Sequence, residues 1–103
     1  KYVELEVDML DNFFHDKPKI KLIKLEAEGA EPEILRGSIN ILKKTEFLCV
    51  DGGPERGIEK KQTIEEIINI MLENNFNLLY LNPEKNSAKV LFVNKKFINV
   101  WII

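Results

Sequence analysis

Three carboxylates grouped around a glycine are the residues of this sequence best placed to do chemistry. Glu26, Glu28 and Glu31 directly follow the alternating apolar run 19–25. A carboxylate can take a proton from a hydroxyl group as a general base, and its oxygens suit Mg²⁺ or Ca²⁺. We expect residues 19–25 to form a strand that ends at these acids, and Pro32 to begin a helix.

A second acidic strand end is predicted at Asp51. Residues 46–50 are predicted to form the strand that ends there. The four residues after Glu46 are apolar without alternation, which is typical of a central parallel strand that is buried on both faces. Residues 51–57 hold three glycines and a proline and are predicted to form a loop. Ligands of α/β proteins bind at the carboxyl ends of the strands, so we expect Asp51 to lie within reach of Glu26.

Each of these side chains also has a plainer interpretation. Glu28 and Glu31 could simply favour the N-terminus of the following helix, by about 0.3–1 kcal/mol each. Lys24 is either a partner for Glu26 or an ordinary surface residue. Arg56, in the predicted loop after Asp51, either binds an anionic group of a ligand or forms a surface salt bridge.

Two further residue types carry little functional signal. His15 is the single histidine, and its place at the end of a short predicted helix is typical of a surface residue. One histidine gives no basis for a histidine-ligated metal site. Cys49 has apolar neighbours and is expected to lie in the core.

The predicted elements alternate between strands and helices. Residues 2–7 alternate as a strand, and a short helix over 8–14 follows. Gly37 is expected to divide the helix that begins at Pro32 into two pieces. Thr63 and Glu66 form a capping box that begins an amphipathic helix, which is expected to end at Asn74 and Asn75. The apolar stripe of this helix contains Ile64, Ile67, Ile68, Met71 and Leu72.

The last predicted elements are two strands, 78–81 and 88–93, joined by the turn 82–87. The short connection predicts an antiparallel hairpin. The whole pattern predicts an α/β fold with a mostly parallel sheet, a C-terminal antiparallel hairpin and helices on the faces. Residues 1–103 are assigned to one domain.

The acidic motif resembles the signature of a known enzyme family. Residues 24–31, Lys-Leu-Glu-Ala-Glu-Gly-Ala-Glu, with Ile-Leu-Arg-Gly at 34–37, resemble the "K-I-D-V-E-G-A-E…V-L-K-G" pattern of the FkbM methyltransferases. The resemblance extends over about residues 3–97, and residues 50–57 look like the next strand and loop of that family. Glu26 stands where the family usually has Asp.

The resemblance implies the C-terminal half of a Rossmann-like methyltransferase dependent on S-adenosylmethionine (SAM), which transfers a methyl group to a hydroxyl of a sugar or another small acceptor. It implies catalytic roles for Glu26 and Glu28, and substrate binding by Lys24, Asp51 and Arg56, with Mg²⁺ as a further candidate cofactor. The glycine-rich loop and the ribose-binding acid that hold the cofactor in this family have no counterpart in the sequence. Whether the chain alone is an enzyme therefore stays open.

Composition limits the classes of partner and the cellular compartment that we expect. The net charge of −2 gives no electrostatic basis for nucleic-acid binding. No apolar run is long enough to span a bilayer. A single cysteine suits a reducing, cytoplasmic compartment. The sequence begins within a predicted strand and ends in an apolar segment, as expected for part of a longer fold.

Two other functions remain open from the sequence. The first is a non-enzymatic interaction domain that forms a homo-oligomer through the exposed edge of the first central strand. The second is a metal-dependent phosphoryl-transfer domain that uses Glu26 and Asp51.

Overall fold

A computed structural model describes residues 16, 18–56 and 61–97 of the chain. The described part has an α/β fold whose main sheet contains four strands: β1 (Ile20–Leu25), β2 (Thr45–Gly52), β5 (Phe76–Pro83) and β6 (Ala88–Asn94). Within the described residues, three α-helices accompany the sheet: α1 (Glu31–Arg36), α2 (Ile39–Lys43) and α3 (Ile64–Glu73). Residues Lys95–Phe97 form a short 3₁₀ helix. Two short strands, β3 (Pro54–Arg56) and β4 (Lys61–Gln62), pair with each other in a separate ribbon.

The main sheet is mixed, with the strand order β1-β2-β6-β5. The strands β1 and β2 are parallel, whereas β6 is antiparallel to both of its neighbours, β2 and β5. It follows that β1, β2 and β5 run in one direction and β6 runs in the other. The antiparallel hairpin is confirmed, but the expected mostly parallel pairing is wrong.

Burial explains why β6 enters the sheet between β2 and β5. Val90, Phe92 and Val93 of β6 are buried, so this strand has apolar side chains for both faces of the sheet. The strand β5 instead leaves Leu79 and Tyr80 exposed. A strand that is apolar on both faces is stabilised most in a central position, because both of its faces are removed from water there.

The described helices pack on one face of the sheet. Leu35 of α1 and Ile67 and Met71 of α3 share one buried cluster with Leu48 of β2 and Phe92 of β6. Cys49 alternates with Leu48, so it lies on the opposite face and is only half-buried. Cys49 is therefore not the core residue that the sequence predicts, and the described helices do not cover both faces.

The helix boundaries follow local sequence signals. Pro32 lies in the first turn of α1, as expected, and Gly37 separates α1 from α2. Asn75 adopts a positive φ of 71° directly after α3 and Asn74, which confirms the predicted end of that helix.

The predicted capping box is wrong. Thr63 is the N-terminal cap residue of α3, but its side chain makes no capping hydrogen bond. The Thr63 hydroxyl instead donates to the carbonyl oxygen of Gly53 at 3.2 Å and accepts from the Gly53 N–H at 3.3 Å. The Thr63 hydroxyl therefore joins the end of β2 to the start of α3 and does not cap its own helix.

Several sequence predictions fall outside the described residues. They are the strand over 2–7, the helix over 8–14, and the positions of His15 and the C-terminal residues 98–103. Among the residues that are described, no helix is long and apolar enough to cross a membrane.

Candidate functional site

The acidic turn after β1 is organised by a buried carboxylate. Glu31 is 0% exposed, and its two oxygens accept hydrogen bonds from the backbone N–H groups of Ala27 at 2.7 Å and Gly29 at 3.1 Å. A further backbone bond of 3.1 Å joins the Ala30 N–H to the Ala27 carbonyl. Glu31 thus fixes the turn that precedes its own helix, and this contribution goes beyond favouring the helix N-terminus.

The backbone of this turn has two consecutive residues with positive φ. Glu28 has φ 50° and Gly29 has φ 102°. Glycine adopts such angles readily, but a residue with a side chain pays about 1–2 kcal/mol in the left-handed region. Strained residues of this kind cluster at functional sites, so the conformation of Glu28 marks this turn as a candidate site.

The turn presents two carboxylates to solvent. Glu26 and Glu28 are both exposed. Within the described part of the chain, neither carboxylate has a hydrogen-bond or ion-pair partner. Because Glu31 satisfies the local N–H groups, the oxygens of Glu26 and Glu28 are available to a ligand.

Asp51 lies next to this turn, on the neighbouring strand. It belongs to β2 rather than to the predicted loop, since β2 continues to Gly52. Leu25 and Val50 are register partners, so Glu26 and Asp51 follow paired positions on adjacent strands. Neighbouring strands are about 4.8 Å apart, which places the two backbones side by side at the carboxyl end of the sheet.

Asp51 and Lys24 share one face of the sheet. Asp51 alternates with the buried Val50 and therefore projects away from the helices. Lys24 is exposed and is the register partner of Cys49, which lies two residues before Asp51 on the same face. Across the sheet, Lys89 of β6 is the register partner of Asp51.

The structure does not bring Lys24 or the backbone of Arg56 into described contact with the acidic turn. Among the described contacts, Lys24 makes no ion pair with Glu26. Arg56 ends the short strand β3, which pairs with β4 in a ribbon separate from the main sheet. The position of the Arg56 side chain lies outside what the structure describes.

The tip of β2 is held by close packing. A Cβ atom added to Gly52 would lie 2.8 Å from the Cδ1 of Ile67 and 2.9 Å from that of Ile64. A Cβ atom on Gly53 would lie 2.8 Å from the Cβ of Ser87. These two glycines allow β2 to approach α3 and the hairpin turn, so they do not line an open ligand cradle.

The opposite end of the β1–β2 pair holds a second buried acid. Glu46 of β2 forms ion pairs of 3.1 Å with both Lys19 and Lys21. Hydrogen bonds from these two lysines, of which that from Lys19 has the larger effect and that from Lys21 the smaller, hold the pKa of Glu46 below its ordinary value. Desolvation has the opposing effect and raises this pKa.

An apolar cavity of about 320 Å³ lies between β1 and the helices α1 and α2. Its lining includes Ile23 and Leu25, which share the face of β1 that is covered by the helices, and also Leu22, which lies on the opposite face. The cavity therefore extends around the edge of β1 that faces away from β2. Within the described residues, β1 pairs only with β2. The remaining lining residues are Ile20, Ile34, Leu35, Ser38, Ile41, Leu42 and Leu48.

Two observations bear on the candidate cofactors. The described residues contain no group of three or more His, Cys, Asp or Glu side chains placed to hold a metal ion. The described glycines beside the two acidic strand ends are engaged within the protein. The N–H of Gly29 is bonded to Glu31, and Gly52 and Gly53 serve internal packing.

Sequence reasoning missed the roles of Glu31 and Thr63. Glu31 has the same residue type as Glu28 and lies three positions after it, so only the fold distinguishes the buried acid from the exposed one. Thr63 carried a signal for local capping, but its bonds with Gly53 span ten positions of sequence.

Comparisons with known proteins give no identity for the chain. No family model matches it, and no curated protein matches it.

Proposed function

We propose that this chain is the C-terminal part of a SAM-dependent methyltransferase of the FkbM type and that it supplies the acceptor side of the site. The observation that carries the proposal is the position of the acidic turn. Glu26 and Glu28 are exposed at the carboxyl end of β1, and the other edge of β1 opens into an apolar cavity. This arrangement is what one half of a larger sheet would present to the half that binds the cofactor.

The proposed chemistry uses the side chains at this end of the sheet. Glu26 or Glu28, as a carboxylate, accepts the proton of the acceptor hydroxyl, which makes the oxygen a better nucleophile. Asp51 and Lys24 share one face of the sheet and would bind further hydroxyl groups of a sugar-like acceptor. Arg56 is retained as a candidate for an anionic group of the acceptor. SAM, held by another part of the fold, would supply the methyl group.

Calorimetric titration tests the acceptor side. The chain is titrated with a panel of monosaccharides and, separately, with SAM. We expect weak heats with an acceptor, which Glu26→Gln and Glu28→Gln reduce, and none with SAM. The control is Glu65→Gln, an exposed acid of α3 remote from the turn in sequence. Equal acceptor heats in all four proteins would contradict the proposed role of the turn.

The coding sequence upstream of Lys1 tests the cofactor side. We expect an in-frame strand, glycine-rich loop and helix, as required to hold SAM. An in-frame stop codon upstream of Lys1, with no such element encoded between the two, would argue against the methyltransferase.

The second candidate function is an interaction domain without enzymatic activity. It is favoured by the two outer strands of the described sheet, β1 and β5, each of which has one neighbour. No described observation favours metal-dependent phosphoryl transfer, because Glu26 and Asp51 belong to no metal-holding group among the described residues.

A further inference from the structure

The outer strand β5 exposes an unusual run of apolar side chains. Leu78, Leu79, Tyr80 and Leu81 are consecutive, and each is between 37% and 60% exposed. Side chains of a strand alternate between faces, so this run leaves both faces of β5 in contact with water. Within the described residues, β5 pairs only with β6. Contiguous apolar surface of this kind marks an interaction site.

The two outer strands of the sheet differ in charge. The β1 segment Ile-Lys-Leu-Ile-Lys-Leu contains Lys21 and Lys24, both of which are exposed. The β5 segment Phe-Asn-Leu-Leu-Tyr-Leu-Asn-Pro contains no charged residue. Lysine on an outer strand is a common device against strand addition, because pairing would bring its charge against the incoming strand. The edge of β1 therefore carries charges that oppose strand addition. The edge of β5 carries none, although Pro83 and a register irregularity between Leu78 and Tyr80 shorten the part of β5 that can pair.

We propose that a second copy of this chain pairs antiparallel with β5 about a two-fold axis, which joins the two sheets into one. A two-fold interface brings the same surface of each copy together, so the strand must be complementary to itself. An uncharged, apolar strand meets this condition. Two copies of β1 would instead bring lysines together. The inference moves the homo-oligomer interface from the first central strand to β5, and it does not depend on the methyltransferase proposal.

The geometry of β5 also limits the extent of the pairing. A register irregularity falls between Leu78 and Tyr80, and Pro83 has no N–H to donate to a partner strand. The new ladder is therefore confined to the residues before Pro83. Tyr80 lies near the middle of β5 and just beyond the irregularity, so the two-fold axis is placed beside it and brings it close to Tyr80 of the second copy.

Sedimentation velocity of matched lysine variants tests the proposal. The variant Tyr80→Lys places a charge near the two-fold axis, and Leu22→Lys places the same charge on β1. Both side chains are exposed, at 60% and 54%, so neither change disturbs the core. We expect a dimer for the wild type and for Leu22→Lys. For Tyr80→Lys we expect a monomer, or a dimer weakened at least about tenfold, since like charges would face each other.

Hydrogen–deuterium exchange of the wild type at two concentrations provides a readout that needs no variant. We expect the amides of β5 to lose protection on dilution while those of β1 do not change. A wild-type chain that stays monomeric at high micromolar concentration would overturn the proposal. A dimer that Leu22→Lys dissociates and Tyr80→Lys does not would also overturn it, as would dilution-dependent protection confined to β1.

Discussion

The two ends of the β1–β2 strand pair each hold a buried glutamate, but the two acids have different partners. At the carboxyl end, Glu31 accepts hydrogen bonds from two backbone N–H groups. At the amino end, Glu46 is paired with the lysine side chains of residues 19 and 21, which are 50% and 74% exposed. One acid is therefore held by the backbone, and the other by long side chains that remain in contact with water.

The difference shows what each acid contributes. Backbone N–H groups are fixed by the chain, so a carboxylate that binds them determines the shape of the turn. Exposed lysines are screened by water and salt and lose side-chain entropy when they pair, so such ion pairs contribute little to stability. Glu31 thus determines how Glu26 and Glu28 are presented to solvent. Glu46 forms ion pairs between β2 and the beginning of β1, and these pairs add little stability.

The largest expected effect is the loss of the Glu31 carboxylate. We expect Glu31→Ala to lower the free energy of unfolding by about 3 kcal/mol, because two hydrogen bonds to a charged group are lost and two N–H groups lose their partner. Urea denaturation measures the change.

The matched control for Glu31→Ala is Glu65→Ala. Both acids lie in the first turn of a helix, but Glu65 is exposed. We expect at most about 1 kcal/mol for Glu65→Ala, from the helix dipole alone. Equal effects of the two substitutions would mean that the buried hydrogen bonds of Glu31 add nothing to the effect of the helix dipole.

The second-largest effect is expected at Gly52, where the carboxyl end of β2 packs against α3. We expect Gly52→Ala to destabilise the chain by about 2 kcal/mol, since the added methyl group overlaps the side chains of Ile64 and Ile67. Thermal unfolding followed by circular dichroism checks this value. An unchanged melting temperature would mean that the Cδ1 atoms of Ile64 and Ile67 can move aside at no cost.

A smaller effect is expected at Thr63. The variant Thr63→Val keeps the shape of the side chain and removes its hydroxyl, which bonds both backbone groups of Gly53. We expect a loss of about 1 kcal/mol in urea denaturation. The comparison with Thr63→Ser, which retains the hydroxyl, separates the hydrogen bonds from the methyl packing, and equal losses in both variants would exclude the hydrogen bonds as the cause.

The smallest effect is expected for Glu46→Gln. Its loss of stability is present at neutral pH and disappears in acid. The pKa of Glu46 is lowered from its ordinary 4.5 in the folded chain. Its stabilisation is therefore complete above the unfolded-state value and is lost as the pH falls through the lowered folded-state value. We expect the unfolding free energy of Glu46→Gln to fall less steeply below pH 4.5 than that of the wild type. Parallel curves would show that the lysine pairs do not contribute.

Local sequence signals predicted most of the described elements. The alternation in β1, the proline and glycine around α1, the apolar stripe of α3 and the short connection of the hairpin all led to the observed structures. These signals depend on neighbours within a few positions, so the sequence carries them directly. The acidic turn between β1 and α1 was predicted for the same reason.

The sequence determined the elements and the exposed acids of the turn, while the tertiary structure decided which polar groups are buried and how the strands pair. Glu28 and Glu31 are equivalent in sequence, and only the folded turn directs one to solvent and the other to the N–H groups of Ala27 and Gly29. The place of β6 between β2 and β5 likewise depends on apolar faces that meet after folding. Such choices are set by contacts between distant residues, because burial is a property of the assembled chain.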